Sequence, residues 1–232
     1  MKIMSRKTIQ SIETKEKILQ TTKRMLNTYD FRFLTVRNIC EESGTTTGSF
    51  YYHFKNKEDV IFSFVSEEFK KVLALNPIPL EIETDDYVHR IIWPMIVYAR
   101  FCESMGQELT AYLYQACSDD VFINCCFENY VVSVLNYASE NNIINLHQNV
   151  NGMNNVKADI PILLGGVMLY WSNKERNSKS EQLCVVLERV MYRFLSSFQP
   201  SGHRVSLSLE KPLFTDEPEK WIDRIVLTKE NN

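Results

Sequence analysis

A chain of 232 residues with 44% hydrophobic and 24% charged residues has an ordinary composition for a soluble globular protein, and it is long enough to bury a substantial core. No run of 18 or more apolar residues is uninterrupted, and the basic stretch from Met1 to Lys7 lacks the apolar region of a signal peptide, so the sequence predicts neither a membrane span nor secretion but a cytoplasmic protein. The net charge of −3 looks wrong for a nucleic-acid binder until it is divided by position: residues 1–58 carry 11 Lys/Arg against 6 Asp/Glu, net +5, whereas residues 59–232 carry 15 against 23, net −8.

In chain order the apolar spacing is helical. The first helix carries Ile18, Thr22, Met25, Leu26 and Tyr29 on one side and ends near Tyr29 and Asp30. Thr35 reads as the N-cap of a short second helix with Val36, Ile39 and Cys40 inward, stopped at Gly44, which can supply a left-handed residue. A third short helix carries Phe50, Tyr51 and Phe54. Asn56 caps a longer fourth, with Glu58 and Asp59 favouring its dipole and Ile61, Phe64, Val65 and Val72 on its face. Asn76-Pro-Ile-Pro79 breaks the chain. Helix resumes from about Asp85 to Cys117, with Pro94 predicted to kink or split it and Gly106 as a second weak point. Another helix runs from about Asp120 to Glu140.

Residues 141–155 hold seven asparagines and a glycine and read as a mobile surface loop. Asp159-Ile-Pro161 then opens a helix through Trp171, and Ser178 with Glu181 reads as a capping box for the next. That helix aligns Leu183, Val186, Leu187, Val190, Met191, Phe194 and Phe198. Beyond Pro200, Val205 to Leu209 alternates like a strand, and Glu217 to Leu227 suits a terminal helix. The six cysteines, Cys40, Cys102, Cys117, Cys125, Cys126 and Cys184, form no CxxC pair and read as small buried hydrophobes.

The segment from Leu34 to Asp59 is a short helix, a glycine turn and a second short helix, the layout in which the second helix enters the major groove. Its residues suit that task. Thr45, Thr46, Thr47 and Ser49 offer short hydroxyls to phosphates or base edges, and Gly48 permits close backbone approach. Tyr51, Tyr52 and His53 carry polar tips on stiff bodies, and Lys57 can clamp a phosphate.

Thr35-Val36-Arg37-Asn38-Ile39-Cys40, Gly44 and Gly48-Ser49-Phe50-Tyr51-Tyr52-His53-Phe54-Lys55-Asn56-Lys57 together resemble the N-terminal signature of the TetR family of bacterial transcriptional regulators, over about residues 14–65. The resemblance implies that Thr35 and Arg37 touch the DNA backbone, that Thr46, Thr47 and Ser49 face bases or adjacent phosphates, and that Tyr51, Tyr52, His53 and Lys57 mostly hold phosphates. Thr45 departs from the family by replacing the usual apolar residue after the turn glycine, and Cys40 replaces a small residue such as alanine.

The expected fold is all-α: a helix-turn-helix three-helix head (1–58, with a basic N-terminal arm), a helical effector-binding and dimerisation body (59–200), and a tail (201–232). Leu183, Leu187, Val190, Met191, Phe194 and Phe198, with the helix from Ile162 to Trp171, fit a four-helix dimer interface or else a core within one chain. Trp93, Tyr98, Phe101, Cys102, Met105, Tyr112, Phe122, Phe127, Met168 and Trp171 supply the aromatic and sulfur-bearing surface of a small-molecule pocket, or again a core. His89, Arg90, Glu103 and Glu108 could orient a polar group, though nothing in their spacing requires it. The implied function is a repressor, a homodimer on palindromic double-stranded DNA released by a small apolar or aromatic effector. The alternative is a DNA-binding protein without such an effector, controlled by a protein partner. No GxSxG, HExxH or phosphate-cradling glycine loop is present, and His53, His89, His147 and His203 are scattered, so neither an enzyme, a metal site nor a cofactor is expected.

Overall fold

The apolar periodicity is realised in a computed structural model that describes residues 6–29, 31–80, 82–116, 121–144, 152–173 and 182–198, with backbone alone at 116, 121–128, 153 and 154. Its regular structure is wholly helical among these residues. They divide into two compact units, one ending at Glu68 and the other starting at Phe69.

In the first unit α1 (Arg6–Thr28), α2 (Val36–Ser43) and α3 (Thr47–His53) each contact the other two. Ile18, Met25, Leu34, Ile39, Phe50 and Phe54 are buried in this head. Tyr29, at the end of the predicted stripe and one residue beyond α1, is instead 49% exposed. The cap at Asn56 is present: its Oδ1 accepts from the Asp59 amide at 2.8 Å, and the Asp59 carboxylate reaches back to the Lys55 amide at 2.9 Å. They open α4 (Lys57–Leu75), which begins in the first unit and ends in the second.

The second unit is organised around α5 (Tyr87–Met105), which contacts α6 (Gln107–Ala116), α7 (Val121–Glu140) and α9 (Leu183–Ser196). α8 (Gly152–Ser172) contacts α6, α7 and α9. Two ties show that α5 and α9 run antiparallel: the Tyr87 hydroxyl donates to the Leu195 carbonyl at 2.6 Å, and the Leu183 amide donates to the Glu103 carboxylate at 2.7 Å.

α5 runs unbroken through Pro94, so the helix is not split there. Proline cannot donate to the carbonyl of Arg90 one turn earlier, and the Tyr130 hydroxyl of α7 supplies that missing donor at 3.0 Å. The break comes at Gly106, whose φ of 88° is open to glycine and strained for other residues.

α8 begins at Gly152, not at Asp159, and Pro161 lies inside it. Val156, Ile160, Leu164 and Met168 are all buried at four-residue spacing. That apolar stripe outweighs the weak helix propensity of the asparagines that suggested a loop through 155. The capping box at Ser178 and Glu181, the strand at Val205 to Leu209 and the helix at Glu217 to Leu227 lie outside the described residues.

Candidate nucleic-acid interface

The helix-turn-helix is set by three local devices. The Thr35 hydroxyl accepts from the Asn38 amide at 3.1 Å and so starts α2. Gly44 ends it at φ 60°, ψ 33°, a left-handed geometry that glycine adopts without steric cost. Thr46 then starts α3, its hydroxyl accepting from the Ser49 amide at 3.1 Å. Sequence reasoning treated Thr46 as a DNA-facing hydroxyl and missed this capping role, although a threonine immediately before a helical run is the signal for it.

Phe50 and Phe54 turn inward, with ring centroids 5.7 Å apart, and hold α3 against the head. Tyr51 and Tyr52 are thereby forced outward, 59% and 77% exposed. Thr46 and Thr47 are also exposed, while Ser49 and His53 are half-buried. The Thr46 and Ser49 hydroxyls lie 2.9 Å apart. Burial first, and the charge of Lys15 second, hold the His53 ring below its ordinary pKa, so its neutral form is favoured.

Thr45, the polar departure in the turn, is half-buried with its hydroxyl 2.7 Å from that of buried Ser43, and Ser43 also donates to the Cys40 carbonyl. Its polarity is satisfied locally, so the turn keeps its geometry without the usual apolar residue. Arg37 is largely exposed and paired with Glu41 at 2.8 Å, which raises its pKa through that hydrogen bond and the accompanying charge. The Lys57 ammonium sits 5.8 Å from the Phe31 ring centroid at the start of α4. Thr35 is exposed at the start of α2. Lys15, absent from the predicted set, places its ammonium 5.8 Å from the Phe54 ring centroid.

In the body, Trp93, Tyr98, Phe101, Cys102, Met168 and Trp171 are buried, and Met105 and Tyr112 are half-buried. The side chains of Phe122 and Phe127 lie outside the described residues. The Trp93 indole donates to the Asn76 carbonyl at 3.2 Å, and the Tyr114 hydroxyl donates to that of Tyr98 at 3.0 Å. Burial pushes the Cys102 thiol up to about 12 and leaves it a small core hydrophobe, as are Cys40 and Cys184. His89 is bound to Asp86 at 2.6 Å, and Glu103 to both Arg100 and the start of α9, so these groups tie the fold together.

The predicted dimer stripe divides. Leu183, Leu187 and Met191 are fully buried within the single chain, on a helix that contacts α5 and α8, and so belong to the body's own core. Val190, Phe194 and Phe198 are only half-buried, the last two edge to face at 5.1 Å.

The class these features define is a helix-turn-helix protein whose body is helical among the described residues. Residues 18–63 match the family described as bacterial regulatory proteins, tetR family. Over 51 residues the chain is 39% identical to the uncharacterised HTH-type transcriptional regulator YerO of Bacillus subtilis (strain 168), a match covering 22% of this chain and 18% of that one. Across 81% of its own length and 96% of the other, the fold is similar to that of FadR from Thermus thermophilus, a TetR-family transcriptional repressor solved with lauroyl-CoA, at TM-score 0.55 and 16% identity. The head is thus matched by sequence over residues 18–63, and the chain as a whole is similar to that repressor in fold.

Proposed function

We propose that this protein is a dimeric transcriptional repressor that reads a palindromic operator with α3 and leaves it when a small apolar or aromatic molecule occupies the body. The observation that carries this reading is the outward face of α3: two exposed tyrosines beside exposed threonine hydroxyls, on a helix whose phenylalanines fix its orientation. Phenol and hydroxyl groups reach phosphates and base edges, and the net charge of +5 over residues 1–58 favours a polyanion. Val190, Phe194 and Phe198 of α9 and, on the contacting helix α8, Ile162 and Tyr170 at 70% and 59% exposure are the apolar side chains open to a second copy. The aromatic and sulfur-rich interior supports a small apolar effector, and the similarly folded FadR of Thermus thermophilus holds an acyl thioester.

Alanine at Tyr52 or Lys57 is expected to weaken binding across all duplex sequences, whereas Thr47→Ala or Ser49→Ala alters base preference. Binding measured at fixed salt with neither effect would remove α3 from the groove. Control by a protein partner is favoured instead by the hydrogen-bonded packing of Tyr98 and Trp93. Native mass spectrometry of the purified chain separates the two: a retained small molecule supports the effector reading, and a bare dimer released only by a protein supports the other.

A further inference from the structure

Helix α9 has two sides with different tasks. Its outer side carries Val190 and Phe194, half-buried and open to a second copy, and its inner side lies on α5 and α8. Cys184, Glu188 and Tyr192, four residues apart, fall on one line down the helix and are all buried. A carboxylate in such a line ordinarily requires a cation or a full set of donors. Glu188 has neither among the described residues: its Oε1 is buried without a hydrogen-bond partner, and burial is what raises its pKa, to about 7.

The charged groups of each helix packed here are engaged elsewhere or face water. On α5, Asp86 holds His89 at 2.6 Å, and Arg100 is bound to Glu103 at 2.9 Å. On α8, Lys157 is half-buried and Asp159 exposed, and neither charge contributes to the shift at Glu188. On α9 itself Arg189 and Arg193 are exposed. Tyr192, its ring 5.8 Å from that of His89, feels the negative charge of both Asp86 and Glu188. The electrostatic company of Glu188 is therefore acidic.

The seam between α5 and α9 is pinned on either side of Glu188, by the Leu183 amide on Glu103 and by the Tyr87 hydroxyl on the Leu195 carbonyl. A neutral carboxyl between those ties costs one unmade hydrogen bond. An ionised one is drawn to water, which it reaches as α9 lifts from α5. We propose that Glu188 is a proton-operated switch: the seam closes on its neutral carboxyl and loosens on its carboxylate, so the outer side of α9 is held ready for a second copy in mild acid and released in mild alkali. The proposal rests on the dimer reading above and adds the signal that regulates it. The closed seam binds the proton more tightly than the open one, so rising pH favours opening.

The test is sedimentation equilibrium of the full chain at about pH 6, 7 and 8 at constant ionic strength. The dimer dissociation constant of the native chain is expected to rise about tenfold across this range, while Glu188→Gln, neutral throughout, keeps one value. Glu140→Gln removes an exposed carboxylate of α7 and, as the control, follows the native chain. Amide hydrogen exchange over α9, corrected for the intrinsic rate at each pH, reads the seam independently of the dimer. Protection falls toward about pH 8 in the native chain and not in Glu188→Gln. A native dimer whose constant and α9 protection both ignore pH overturns the switch while the dimer reading stands. A pH response that survives Glu188→Gln places the proton on another group and overturns it as well. A chain monomeric at every pH overturns the dimer reading and the assembly half of the proposal, and α9 protection then decides the seam.

Discussion

Glu188 shows how far one residue's surroundings can move its chemistry. It sits on α9 only 8% exposed, with Oε1 lacking a hydrogen-bond partner among the described residues, and burial raises its pKa from 4.5 to about 7. The folded protein therefore binds this proton more tightly than the unfolded chain. Its contribution to stability is fully present below about pH 4.5 and is lost as pH rises through about 7. Urea melts from about pH 5 to about pH 8 are expected to show falling stability, and Glu188→Gln to flatten the profile and gain up to about 3 kcal/mol at the alkaline end. Parallel profiles for the two proteins would show that the carboxylate finds a partner. Arg37 offers a second test: its pairing with exposed Glu41 competes with a phosphate, so Glu41→Gln is expected to tighten duplex binding, most visibly at low salt. Equal affinities across the salt range would remove Arg37 from the backbone contacts. At this scale the sequence was partly legible. Thr35 and Gly44 announce their roles because capping and left-handed geometry are local chemistry. The Ser43–Thr45 pair and the burial of Glu188 depend on tertiary surroundings that spacing does not reveal.

At the scale of the element, prolines and glycines behaved differently from one another. Gly106 ends α5, as its freedom at positive φ allows, but Pro94 leaves the helix continuous because Tyr130 satisfies the carbonyl that proline abandons. Tyr130→Phe is expected to cost about 1–2 kcal/mol, since it leaves the Arg90 carbonyl without that donor. In a Pro94→Ala background the backbone amide at 94 takes over, and the same Tyr130→Phe change should cost much less. Denaturation of the four proteins of this double-mutant cycle measures the coupling, and strictly additive effects would sever the link between the two residues. The start of α8 was misread for a related reason. Asparagines signal a loop only where no apolar stripe overrides them, and Val156 and Ile160 carry the stripe back through that segment.

For the whole molecule, the two halves of the chain were unequally legible. The head was readable because a helix-turn-helix is short, local and dense in constrained positions: caps, a turn glycine and two inward phenylalanines. The body was readable only as helices. An apolar stripe at helical spacing looks the same whether it faces its own chain or another copy, so Leu183, Leu187 and Met191 turn out to be internal core, while Val190, Phe194 and Phe198 keep an open side. Through that side and α8, the protein is expected to sediment as a dimer of about 54 kDa, twice its 27.2 kDa mass. Phe194→Glu should shift it toward monomer, and a native protein that stays monomeric at micromolar concentration would refute this surface. The central claim, that paired heads read duplex DNA through α3, is tested most directly by selection from a random duplex library with the full chain. Enrichment of a two-fold symmetric sequence with half-sites about 10 base pairs apart, or a multiple of that spacing, is expected. Recovery of no enriched sequence, or of a single asymmetric site, would contradict it.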